Sequence, residues 1–129
     1  MIRDFVLSFL LSACLLAGAV AMLTNEGRPF LTLKATPAVA ISPARILFRA
    51  YIEGPMTEEW YCPKVEWIWP DATSSSEESD CTPWPEGRDD APRIWSRYVM
   101  LGSGDQTVTV ELSKSKRVFA QKSITVIVH

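Results

Sequence analysis

After residue 24, apolar and polar side chains alternate with a period of two along much of this chain. Between Arg45 and Glu53 every second residue is apolar. Ile46, Phe48, Ala50 and Ile52 fall on one side, and Arg45, Leu47, Arg49, Tyr51 and Glu53 on the other. That period describes a strand with one buried face, and Gly54-Pro55 ends it. A second strand is predicted over Val65-Glu66-Trp67-Ile68-Trp69, with Val65, Trp67 and Trp69 sharing a face. A buried indole covers roughly 150–250 Å², so Trp67 and Trp69 would supply much of a small core.

Ile94–Leu101 predicts another strand, carrying Ile94, Trp95, Tyr98 and Met100. Gly102-Ser103-Gly104-Asp105 reads as a turn. Thr107–Ser113 then points Val108, Val110 and Leu112 inward. Lys114-Ser115-Lys116-Arg117 forms a charged hairpin tip, and Val118–Val128 returns with Ile124, Val126 and Val128 inward. Near the start, residues 24 to 43 form a tether leading into a short strand at Phe30–Ala35. Pro37 and Pro43 bracket Ala38–Ser42, and prolines belong at sheet edges or in connections. Residues 71 to 92 are rich in Asp, Ser, Glu, Pro and Gly and read as a long surface loop. No segment beyond residue 24 keeps a helical period, and no internal repeat is present. Short strands separated by turn signals predict an all-β antiparallel sandwich.

The first two dozen residues break this pattern. Phe5–Leu23 is nineteen residues long and holds no charged side chain, enough to cross a bilayer as a hydrophobic helix. Its details are those of a signal peptide. Arg3 precedes an apolar run, small residues follow, and Ala19-Val20-Ala21 forms an A-x-A site for cleavage after Ala21. Other outcomes stay open: retention of the segment as a membrane anchor, or lipidation of Cys14, since Leu11-Ser12-Ala13-Cys14 resembles the bacterial lipobox. The chain therefore divides into a signal peptide or anchor (1–21), a tether and first edge strand (22–43), and a sandwich domain (44–129). Its expected destination is exported, periplasmic or extracellular, with membrane contact only through the N-terminal segment.

Export changes the meaning of the cysteines. Beyond the signal segment only Cys62 and Cys81 occur, and in an oxidising compartment they are expected to pair. Such a bond stabilises a domain of this size by roughly 3 kcal/mol. Zinc would need several Cys, His or carboxylate ligands at short spacings, and the single histidine is the final residue, His129.

The net charge of −2 gives no footprint for nucleic acid, but the charge is unevenly spread. Residues 53 to 90 hold eleven acids against Lys64 and Arg88. The flanking stretches are basic: residues 22 to 52 carry a balance of +3 and residues 91 to 129 one of +4. Within the acidic stretch, Asp71, Glu77, Glu78 and Asp80 are candidate calcium ligands, because calcium takes clustered carboxylates on flexible loops. Calcium is the one cofactor that the sequence brings into question.

Catalytic chemistry finds little support. Adjacent carboxylates at Glu58-Glu59, Glu77-Glu78 and Asp89-Asp90 lie in loop-like sequence, where both members of a pair stay solvated, whereas acid–base work needs unlike pKa values. His129 lies at a terminus. Gly102-Ser103-Gly104 precedes a strand rather than a helix, unlike a phosphate loop. The aromatic residues offer binding instead. Trp60, Trp84 and Trp95 lie near loops or strand ends, where an indole can stack on a sugar or grip a protein.

The strand order resembles that of the PKD domain, a variant of the immunoglobulin-like sandwich. Trp67-Ile68-Trp69-Pro70-Asp71-Ala72-Thr73 stands where that family carries W-x-F-G-D-G, with Pro70 and Ala72 replacing its glycines. Tyr98, Gly104 and Thr107-Val108-Thr109-Val110 stand for the later part of the pattern. The resemblance spans roughly residues 35 to 128 and implies an extracellular module for spacing, adhesion or binding. The expected function is that of an exported, non-enzymatic interaction or structural module. It would bind a protein or glycan partner through loops of a disulfide-stapled β-sandwich. The alternative is a membrane-tethered accessory subunit of an envelope complex.

Overall fold

The computed structural model describes residues 27–129. The predicted N-terminal helix, the cleavage point after Ala21 and the lipidation of Cys14 lie outside the described residues. The rest is all-β, in two sheets. Strand β1 (Phe30–Thr36) is followed by β2 (Val39–Ala40), β3 (Ala44–Glu53), β4 (Lys64–Ile68), β5 (Ser74–Glu77), β6 (Ile94–Leu101), β7 (Gly104–Lys114) and β8 (Arg117–Val128). One sheet has the order β1-β3-β6, the other β2-β8-β7-β4-β5.

The alternation along β3 decides the packing. Ala44, Ile46, Phe48, Ala50 and Ile52 are all buried, against exposed Arg45 and Arg49. From the other sheet they meet Val65 and Trp67 of β4, Val108, Val110 and Leu112 of β7, and Val126 and Val128 of β8. Trp67 is fully buried and stacks on Trp69, with centroids 5.6 Å apart. Trp69 in turn meets Phe48 edge to face at 6.1 Å, linking the two sheets through aromatic contact. Gly54 ends β3 with a φ of +91°, and a Cβ there would lie 2.7 Å from the Arg28 carbonyl oxygen. Only glycine fits that approach.

The short strand expected at Phe30–Ala35 is present as Phe30–Thr36. It pairs with β3 over its whole length, and Leu31 enters the core. The chain then crosses to the second sheet, where β2 runs parallel to β8.

Residues 71 to 92 also depart from the expected loop. Ser74–Glu77 forms β5, antiparallel to β4. The reason lies in the tryptophans. Buried indole N–H groups need acceptors, and the inward positions of β5 provide them. Trp69 Nε1 donates to Ser75 Oγ and Trp67 Nε1 to Glu77 Oε2, each at 2.9 Å. A serine-rich segment thus becomes an edge strand because its polar side chains answer the core's donors.

Candidate functional site

Strand β6 carries two apolar ladders. Trp95 and Leu101 are buried in the core, whereas Ile94, Tyr98 and Met100 are each more than 60% exposed. The expected grouping of Ile94, Trp95, Tyr98 and Met100 is therefore split between opposite faces. Arg97 occupies an inward-facing position between Trp95 and Val99, opposite Phe48 in the register. It interrupts the pattern that would have identified the core face.

The backbone of β6 has a definite phase. In an antiparallel ladder, facing residues alternate between pairs that exchange both hydrogen bonds and pairs that exchange none. The Ile52 N–H donates to the Arg93 carbonyl at 2.9 Å. The bonded pairs with β3 are therefore Ala50–Trp95, Phe48–Arg97, Ile46–Val99 and Ala44–Leu101. Ile94, Ser96, Tyr98 and Met100 point their N–H and C=O groups away from β3, toward a side on which no described strand pairs.

Facing this edge across the sandwich is β5, itself the last strand of its sheet. Near the Tyr98–Leu101 end of β6 the gap between them widens into a cleft of about 580 Å³, walled by Trp69, Asp71, Ser75, Arg97, Val99 and Met100. Among the described residues, one polar contact spans the gap: Arg97 Nε lies 3.4 Å from Glu77 Oε2. Both side chains are about one-third exposed, and the Arg97 Nε atom is itself buried without a hydrogen bond. The contact is an ion pair whose alignment leaves the Nε–H unsatisfied. Beyond the cleft, the outer surface of the same sheet is basic and aromatic. Arg45 lies over the Tyr98 ring at 4.4 Å, and Lys34 over Tyr51 at 5.7 Å. Hydrogen bonding to Tyr51 raises the Lys34 pKa above its ordinary value. Glu53 is the one carboxylate on the strands of that surface, and it accepts a bond from Thr32 Oγ1 at 2.7 Å.

The other candidates are dispersed. Trp95 is 8% exposed and belongs to the core, so its indole offers no platform. Trp60 packs edge to face on Phe119 at 5.1 Å, and Trp84 tilts against Tyr61 at 5.4 Å. Both are partly buried and spend ring surface on neighbours within the fold. The candidate calcium ligands are not gathered into one site. Asp71 lies before β5, where its carboxylate accepts from the Thr73 hydroxyl at 2.6 Å and the Thr73 N–H at 3.1 Å. These bonds hold its pKa below the ordinary carboxylate value. Glu77 is engaged by Trp67 and Arg97, and Glu78 and Asp80 follow the far end of β5. A strand advances about 3.3 Å per residue, which separates Asp71 from that end. Among the described residues, no group of three or more His, Cys, Asp or Glu side chains is placed to hold a metal ion.

Cys62 and Cys81 are bonded, with Cα atoms 6.3 Å apart. The bond fastens the segment after β5 to the approach to β4. The fastening is reinforced by the buried Tyr61, whose hydroxyl donates to the Thr82 carbonyl. Compared with known protein families, curated proteins and solved structures, the chain matches none.

Proposed function

We propose that this chain is an exported, non-enzymatic interaction module of immunoglobulin-like form, and that it grips a protein partner through the flank between β5 and β6. The observation that carries this reading is the unfinished three-stranded sheet. It stops at β6, leaving an eight-residue strand with exposed Ile94, Tyr98 and Met100 beside a cleft. Monomeric proteins manage such edges by shortening, charging or covering them; β6 is neither short nor covered by a described strand, and its one charge, Arg97, points inward. Patches of this kind mark interaction surfaces.

The strand order supports the immunoglobulin-like reading. Strands β1, β3 and β6 stand for A, B and E, and β8, β7, β4 and β5 for G, F, C and C′. Among the described residues the D strand has no counterpart. Its place in the chain is taken by residues 78 to 93, fastened by Cys81. The PKD resemblance draws support from the pairing of β4 with β7, which sets Trp67 opposite Val110 and Ile68 opposite Thr109. The disulfide supports export, since such bonds persist in oxidising compartments.

The test is site-specific photocrosslinking in the producing cell, using the full chain. A photoreactive phenylalanine replaces Tyr98 on the flank, or Thr125 on the outer face of the larger sheet. The expected result is a discrete adduct from position 98 that excess unlabelled chain competes away, and none from position 125. Equal adducts at both positions, or none at 98, would refute the flank as the binding surface.

The second reading is a tethered accessory subunit, favoured by the length of the uncharged run Phe5–Leu23. The mass of the mature chain decides it. A start at Met22 supports release, an intact Met1 supports the tether, and a lipid on Cys14 supports lipid anchoring.

A further inference from the structure

Resting on the flank as the binding surface, we infer that the partner binds by strand addition: an extended segment of another protein pairs with the free edge of β6 and completes the smaller sheet. The segment carries apolar side chains at alternate positions and a carboxylate that reaches Arg97.

Several independent observations converge on that occupant. The first is the phase of the backbone. Ile94, Ser96, Tyr98 and Met100 all present N–H and C=O groups to the same side, which is the template an added strand reads. The second is the cleft. A strand laid against β6 would point alternate side chains inward between the sheets, where Trp69, Val99 and Arg97 line about 580 Å³. A second copy of β6 would fill that space poorly, because its own Trp95 and Leu101 are already committed to a core. A foreign segment has both of its faces free. The third is charge. Arg97 Nε is buried without a hydrogen bond, and the sheet to be extended carries Lys34, Arg45 and Arg49 outward. Its one strand carboxylate, Glu53, is bonded to Thr32. An acidic side chain aligned on the Arg97 guanidinium would supply the acceptor that Glu77 fails to align. On the outer side, the segment's apolar residues would lie beside Ile94, Tyr98 and Met100 and cover them.

The same phase yields a selective test. The Ser96 N–H faces the free edge, so Ser96→Pro removes a donor from the binding template and none from the pairing with β3. Proline is tolerated at such edge positions. The probe is a phage-displayed library of random peptides, each about a dozen residues long, selected on the full chain. Enriched peptides are expected to alternate apolar residues and to carry Asp or Glu. Their affinity should fall about tenfold or more on Ser96→Pro and about fivefold on Arg97→Gln. Amide exchange on the native chain gives a readout that does not depend on any variant folding. Peptide should slow exchange at Ile94, Ser96, Tyr98 and Met100, with little change at Trp95, Arg97, Val99 and Leu101.

The remaining outcomes separate the two claims. Peptides lost on Tyr98→Ser but retained on Ser96→Pro, with no protection of the edge amides, would overturn strand addition and leave the flank as a side-chain binding surface. Peptides insensitive to both substitutions, or no enrichment at all, would overturn both.

Discussion

The two flanks of the sandwich are built from different materials. On one, the chain itself closes the gap: β1 ends in the smaller sheet and β2 begins in the larger. Backbone bonds seal the crossing, with Ile127 N–H donating to the Ala38 carbonyl at 3.1 Å, His129 N–H to Ala40 at 2.8 Å and Ser42 N–H to His129 at 2.7 Å. On the other flank, β5 and β6 face one another with no backbone bond between them, spanned by the Glu77–Arg97 ion pair. A covalent crossing cannot be exchanged for an intermolecular contact without unfolding. An ion pair with one-third-exposed members can, because such pairs contribute little and reorganise readily. The molecule thus keeps one flank shut and leaves the other available.

The largest expected separation between the flanks is in amide exchange. At the closed flank the N–H groups of Ser42, Ile127 and His129 are bonded, whereas those of Ile94, Ser96, Tyr98 and Met100 face the open side. With a global stability of about 5 kcal/mol, bonded interior amides exchange on the order of a thousandfold more slowly than free ones. Two-dimensional NMR after transfer to deuterated buffer checks this. Comparable protection of both sets would mean that β6 is covered, and the contrast would collapse.

Next in size is the disulfide. Replacing Cys62 and Cys81 together by serine should cost about 3 kcal/mol in a denaturant titration and loosen residues 78 to 93. Amides of β2 and β8 should keep their relative protection. Equal loosening of both flanks would show that the bond serves the whole sandwich rather than its open side.

Trp67→Phe comes third, at about 1–2 kcal/mol. It keeps an aromatic ring in the core but deletes the donor to Glu77. Exchange is expected to accelerate more along β5 than along β7. Uniform destabilisation would mean that the indole N–H does not hold the edge strand.

How far the sequence discloses this contrast depends on whether a feature is local. The face of β3 is written in its own alternation, and so are the inward residues of β7; the pairing of Cys62 with Cys81 follows from their being the two cysteines beyond the N-terminal segment. Strand β5 is not, because serine and glutamate are poor strand signals. What places them there is a pair of indole N–H groups, Trp67 on β4 and Trp69 just after it, at separations of ten and six residues. The face of β6 is obscured by Arg97, which puts a charge on the core side while Ile94, Tyr98 and Met100 put apolar groups on the solvent side. The candidate site is the least legible feature. An edge is defined by which strand has no neighbour, and that is a property of topology that no local window contains. Tryptophans and acidic loops are locally conspicuous, so the sequence points to them instead.

Fourth is the ion pair itself. A double-mutant cycle of Glu77→Gln and Arg97→Gln should give a coupling below about 1 kcal/mol that shrinks with added salt. Glutamine keeps an acceptor for Trp67, so the cycle isolates charge. A coupling well above that value would mean that the open flank is locked by electrostatics and not available for exchange.

The smallest effect tests the rim of the cleft. Asp71 accepts bonds from the hydroxyl and the N–H of Thr73, and its pKa is lowered accordingly. A carboxyl with a lower pKa folded than unfolded contributes stability that is present above the unfolded value and is lost as pH falls through the folded one. Thr73→Val removes the hydroxyl donor, the larger cause of the shift, and leaves the backbone one. The Asp71 titration followed by NMR should therefore move upward, toward the ordinary carboxylate value, without reaching it. Asp71 is fully solvated, so the change in overall stability should be too small to resolve by melting. An unmoved titration would mean that the turn between β4 and β5 is not held by this bond. The rim of the cleft would then be as adjustable as the edge beside it.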